Sequence, residues 1–147
     1  MMHGVALSCG DRGVLLTGPS GIGKTTAALE AARKGYGWIA DDLAVIKKNV
    51  QGRLMISGHR SIQKYFHTQA TGIAAMDRIL PGSQMRKKTE LAGIIDVFRT
   101  AREGISRPIE TRILEKCLPL IRVGIPRTGY LRQNLLIRAI QKLNEVG

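Results

Sequence analysis

The eight residues Gly18-Pro19-Ser20-Gly21-Ile22-Gly23-Lys24-Thr25 constrain this chain more than any other stretch. They satisfy the pattern G-x-x-x-x-G-K-[ST] at every fixed position. Glycine is needed there because a backbone without Cβ atoms can curl until successive N–H groups point inward at one anion. Lys24 adds a point charge for outer phosphates, and the Thr25 hydroxyl is an oxygen ligand for Mg²⁺. A helix that starts at this point aims its positive end at the same spot. The flanks agree with the motif. Gly13-Val14-Leu15-Leu16-Thr17 is a short apolar run of the kind a buried strand needs. Residues 24–34 are rich in helix formers and stop at Gly35. Strand, glycine loop and helix in that order predict a phosphate-binding loop.

The rest of the chain reads as strands closed by one further helix. Residues 3–7 alternate weakly and predict a first strand, followed by a tight turn over 9–13. Trp38-Ile39-Ala40 predicts a short buried strand ending in Asp41-Asp42, and residues 43–48 continue it. Asn49-Val50-Gln51-Gly52 predicts a hairpin turn into residues 53–57. Residues 61–67 predict a helical turn, 81–83 a loop and 84–88 a solvated stretch. The run Leu91-Ala92-Gly93-Ile94-Ile95-Asp96-Val97-Phe98 predicts a central strand. Residues 100–106 are polar and predict a mobile loop, and 118–125 predict a strand. Leu135, Leu136, Ile140 and Leu143 recur at helical spacing, so an amphipathic helix is expected over 134–146. Together these elements predict an α/β fold with a mixed sheet, a phosphate-loop helix and a C-terminal helix.

The length of 147 residues suits one domain over residues 1–147. Aromatics make up only 4% of the chain, so its core must be built mainly from Leu, Ile, Val and Ala. No run of 18 or more apolar residues and no secretory leader pattern is present, which predicts a cytoplasmic protein without membrane contact. Cys9 and Cys117 are expected to be buried thiols rather than a disulfide. The formal net charge is +12. Residues 59–88 hold six Lys/Arg against one acid, and residues 107–147 hold eight against three, a net +5 in each. Such a field attracts polyanions: nucleotides, an acidic protein or nucleic acid. Few aromatics interleave with the basic residues, so nucleic acid is the weaker expectation.

A nucleotide-phosphate site needs a carboxylate near its metal. Two apolar strands end in Asp here, at Asp41-Asp42 and at Asp96. On a continuing strand Asp41 and Asp42 point to opposite faces, which suits separate roles. One would orient a metal while the other takes a proton from an attacking hydroxyl. Read alone, His3 defaults to surface decoration, His59 and His67 carry no partner signature, and Arg127-Thr128-Gly129 follows Pro126 in a loop that could reach an anion although a solvated arginine is the default there.

These residues converge on a family pattern. Met2-His3-Gly4-Val5, the segment 13–25, Arg33-Lys34-Gly35-Tyr36 and Ala40-Asp41-Asp42 resemble the catalytic domain of HPr kinase/phosphorylase. The likeness is strongest over residues 2–46 and returns in 90–98 and in Ile125-Pro126-Arg127-Thr128-Gly129 through Leu143. It implies a P-loop fold of the HPr kinase type, in a short form without the family's N-terminal domain. The implied activity is transfer of phosphate from ATP, with Mg²⁺, to a serine of an HPr-like phosphocarrier protein. The resemblance implies Asp41 as general base and His3 beside the phosphates. It places the nucleotide on Gly18, Pro19, Ser20, Gly21, Ile22, Gly23, Lys24, Thr25, Thr26 and Arg127. Thr25 and Asp42 would serve the metal, and the assembly would be a homohexamer.

The chain departs from that pattern at two places. Thr26 stands where the family usually carries Glu. His67-Thr68-Gln69-Ala70-Thr71-Gly72-Ile73-Ala74 stands where the family signature resembles E-I-R-G-L-G-I-I. Loss of two acids from a metal site weakens the hold on a hard cation. The alternatives are therefore a kinase or NTPase with another acceptor, and a module that binds nucleotide without chemistry.

Overall fold

The computed structural model describes residues 2–41, 43–58, 65–68, 72–75 and 88–146, without the side chains of 65–68 and 72–75. Its main sheet is mixed and runs in the order β1-β5-β6-β9-β3-β2-β4. The strands on that path are β1 (Met2–His3), β2 (Val5–Cys9), β3 (Arg12–Thr17), β4 (Gly37–Ala40), β5 (Leu43–Lys48), β6 (Leu54–Gly58) and β9 (Lys88–Thr100). Strand β12 (Lys116–Pro126) joins β9 and carries β10 (Gly104–Ile105) and β11 (Ile109–Ile113) on its other edge. A separate two-stranded sheet pairs β7 (Tyr65–Thr68) with β8 (Gly72–Ala75).

Strand β9 organises the molecule. It runs parallel to β3, with Leu16 opposite Ile95 and Thr17 opposite Asp96. It also runs parallel to β12, with Val123 opposite Val97. The other main-sheet pairings are antiparallel. The long apolar stretch of β9 is explained by its cover on both faces. One face packs under the two helices, α1 (Lys24–Arg33) and α2 (Gln133–Asn144). This helix-side core joins Leu16, Ile95, Val97 and Ile121 to Ala28, Ala32, Leu136 and Ile140. The opposite face holds a second core of Leu15, Ile39, Leu54, Ile56, Leu91 and Ile94. Alternate residues of β3 and β9 therefore serve opposite cores, as the two-residue strand period requires.

Helix α2 buries Leu135, Leu136, Ala139, Ile140 and Leu143, the stripe its periodicity predicts. Gly93 of β9 is the contact point beneath it. A Cβ there would lie 2.7 Å from a Leu143 methyl. Near the other end of β9, a Cβ on Gly18 would lie 2.5 Å from the Val97 carbonyl oxygen. The glycine loop therefore rests on β9 main chain.

Several expectations need correction. The first strand is interrupted at Gly4, leaving β1 paired to β5 and β2 paired to β3 and β4. No single strand passes through Asp41, because β4 ends at Ala40 and Asp41 forms a bend. Residues 65–67, expected in a helical turn, lie in β7; aromatic and β-branched side chains favour the extended chain of Tyr65–Thr68. Within the predicted loop 100–106, Gly104 and Ile105 pair with β12, and Ser106 exchanges hydrogen bonds with Arg122 at 2.8 and 2.9 Å. Cys117 is exposed because the β11–β12 hairpin projects beyond the core. The rest of the expected helical turn (61–64), the 81–83 loop and the 84–87 stretch lie outside the described residues.

Candidate active site

The glycine loop leaves the carboxyl end of β3, where parallel α/β sheets commonly place ligands. Three of its glycines adopt backbone angles that other residues avoid: Gly18 at φ 145, Gly21 at φ 80 and Gly23 at φ 100. Gly23 is the N-cap of α1 and provides no side-chain cap, and the first turn of α1 holds no acid. The helix thus begins without a side-chain anion of its own, so its positive end remains for a ligand. The Lys24 ammonium donates to the Gly18 and Pro19 carbonyls at 2.6 and 2.9 Å, which holds its charge at the lip of the loop.

Asp41 reaches this loop from the end of β4. The residue is buried, at 5% exposed. The Thr25 hydroxyl donates to Asp41 Oδ1 at 2.9 Å. This hydrogen bond joins the phosphate-loop hydroxyl to the predicted base across 16 residues of sequence. His3 arrives by another route. Its pairing with Leu43 places β1 beside the chain that follows Asp41.

A cavity of about 840 Å³ opens over these groups. His3, Ser20, Lys24, Thr25, Thr26, Asp41 and the glycines 4, 18, 21 and 23 line it, with Val5, Tyr130 and Leu131. Of the predicted residues, Pro19, Ile22 and Arg127 are not in its wall. Ile22 is buried in the helix-side core, and its carbonyl accepts from the Leu131 N–H at 2.7 Å. Arg127 is exposed on the turn after β12. Asp42 lies outside the described residues. Asp96 also lies away from the cavity: its Oδ1 accepts from the Thr17 hydroxyl at 2.8 Å, and its Oδ2 lies 3.5 Å from Arg122 Nε.

Tyr130 and Leu131 are wall residues that the sequence reading did not single out. Their signal was available in position alone, since they lie between the turn after β12 and the start of α2. Among the described residues there is no cluster of three or more His, Cys, Asp or Glu able to hold a metal. The Thr25 hydroxyl still suits Mg²⁺, which keeps most of its water and needs only one or two protein ligands beside phosphate. Thr26 is exposed in the cavity wall, at the position where an acid was expected. His67 lies on β7, whose backbone comes within 8 Å of α1. Among the described residues no helix is long and apolar enough to cross a membrane.

Comparison with known proteins identifies a family and a shared fold. A family model described as the HPr Serine kinase C-terminal domain matches residues 1–125. The HPr kinase/phosphorylase of Bordetella pertussis is 33% identical over 109 residues, covering 72% of this chain and 35% of its own length. That of Chlorobaculum tepidum is 25% identical over 130 residues, covering 84% of this chain and 38% of its own. This chain therefore spans little more than a third of the length of these relatives. Among solved structures, the HPr(Ser) kinase/phosphatase from Coxiella burnetii matches with a TM-score of 0.81 at 20% identity. That match covers 99% of this chain and 89% of the other, and it shows a shared fold.

Proposed function

The chain belongs to the family of the HPr serine kinase C-terminal domain, and from that premise we propose that it is an ATP-dependent protein serine kinase. Its acceptor in this reading is a serine of an HPr-like phosphocarrier protein or another acidic protein, drawn by the net charge of +12. The enzyme is cytoplasmic and homo-oligomeric, a hexamer by family likeness.

The observation that carries the reading is the Thr25–Asp41 hydrogen bond inside the cavity that Lys24 also lines. The glycine-loop N–H groups and the start of α1 receive the phosphates, and Lys24 neutralises their charge. Thr25 fixes one Asp41 oxygen, so the carboxylate is held in place before an acceptor arrives. Asp41 then takes the serine proton, and His3 lines the same space. Magnesium, when bound, screens charge on the phosphates; Thr25 and Asp42 are the residues assigned to it. Catalysis in such a site is mostly positioning and electrostatics.

The test is incubation with Mg-ATP and HPr followed by phosphoserine detection. Wild type is expected to label HPr, and Asp41→Asn to lose the label while still binding ATP. A wild type that binds ATP as well as Asp41→Asn does but labels nothing refutes the kinase reading. Exposed Thr26 in the cavity wall favours a second reading, a nucleotide-binding relative with another acceptor or none. ATP binding without HPr labelling is its signature.

A further inference from the structure

We infer that Tyr130 is the platform on which the base of a bound nucleotide stacks. The inference rests on the phosphate-site reading and extends it from the phosphate tail to the base. Lys24, Thr25 and Asp41 supply polar groups to the cavity wall, and Thr25 donates to Asp41. Tyr130 is the aromatic residue in its described wall, and it remains 58% exposed. Its exposed ring offers a flat π-face that can stack on a planar ligand.

The backbone beneath the ring is fixed from three sides. The N–H of the next residue, Leu131, donates to the Ile22 carbonyl of the glycine loop at 2.7 Å. Leu131 itself is 4% exposed and belongs to the helix-side core. Arg99 Nη1 donates to the Pro126 carbonyl at 2.8 Å and also to the Gly129 carbonyl. The Arg99 guanidinium lies 5.9 Å from the Tyr130 ring centroid, near the outer limit for a cation–π contact. The main chain from Pro126 to Leu131 thus straps over the glycine loop and presents Tyr130 at the cavity wall. The close fit of strap and loop is visible at Gly23, where a Cβ would meet the Tyr130 Cβ at 3.3 Å. A triphosphate tail on the loop carries its nucleoside away from the loop, into the remainder of the 840 Å³ cavity. Stacking tolerates any base, because every base has a π-face, so a purine or pyrimidine nucleotide fits the platform.

Calorimetry on the full chain with ATP and with inorganic tripolyphosphate, both with Mg²⁺, separates the base from the tail. Tyr130→Ala is expected to weaken ATP binding by about 5- to 150-fold, the range for one base–aromatic stack. Tripolyphosphate binding stays unchanged, and Tyr130→Phe keeps ATP affinity near that of wild type. Equal ATP affinity in wild type and Tyr130→Ala overturns the inference. A parallel loss of tripolyphosphate overturns it as well, because Tyr130 would then only support the loop. A wild type that binds neither ligand defeats the phosphate-site reading itself, and the platform falls with it.

Discussion

Two glycines at opposite ends of α1 allow the contact between strap and glycine loop to be weighed. Gly23 has φ +100 and Gly35 has φ +109, so alanine suffers nearly the same backbone strain at either position. That shared cost is about 1–2 kcal/mol. The surroundings differ. A Cβ at Gly35 meets nothing within 4 Å, whereas at Gly23 it lies 3.2 Å from both Leu131 N and Leu131 O. Those atoms are main chain, and the Leu131 N–H is already bonded to Ile22. Relief therefore requires a small shift of the main chain at Leu131. Forcing an extra methyl into a packed site costs about 1–3 kcal/mol. Gly35→Ala should lose about 1–2 kcal/mol, and Gly23→Ala about 2–5 kcal/mol. With a urea slope of ~2 kcal/mol/M, the two midpoints should differ by about 1 M. Gly23→Ala should also weaken tripolyphosphate binding, while Gly35→Ala leaves it alone. Equal midpoints for the two variants, at equal slopes, would refute the packed strap, and with it the placement of Tyr130.

Two further outcomes follow from burial. Leu136 is fully buried between α2 and the sheet, so Leu136→Ala should destabilise the fold by about 2–5 kcal/mol in urea or thermal melts; a change under ~1 kcal/mol refutes its core role. Burial, with a smaller contribution from Cys9, raises the Tyr36 phenol above its ordinary value of 10.0. The unfolded chain therefore ionises first. Stability from Tyr36 is complete below that ordinary value and is lost as pH rises through the raised one. Urea midpoints taken across alkaline pH should show this loss in wild type and a smaller one in Tyr36→Phe.

Much of the site was legible because its requirements are local. The glycine loop, the helix after it and the aspartate ending a short apolar strand are each set by residues a few places apart. The long β9 was legible from its apolar run, and α2 from its buried stripe. The β11–β12 hairpin was not. Its turn places Leu114 at φ 48 and Glu115 at φ 69, a backbone that Asn-Gly or Gly-Gly normally announces. With neither present, local propensity is overridden by the ladder from Ile109 opposite Leu120 to Ile113 opposite Lys116. The break at Gly4 was hidden for a different reason. Its cause is non-local: a Cβ there would lie 2.4 Å from the Leu16 carbonyl oxygen of a neighbouring strand. The placement of Tyr130 was not legible because Arg99, which lies against its ring, and Ile22, which holds the neighbouring Leu131 N–H, come from distant segments of the chain.

The parallel pairing of β3 with β9 has a consequence for how the protein matures. Thr17 and Asp96 sit side by side although 79 residues separate them. The cavity over the glycine loop draws on residues as far apart in sequence as His3 and Leu131. On a ribosome, the anion-binding turn emerges long before the strand that supports it and the segment that roofs it. A chain still being synthesised, or one cut short before residue 131, has no finished pocket. Ligand capture therefore requires a chain that has reached at least residue 131, and a ligand that binds only the folded form will shift the folding balance toward it.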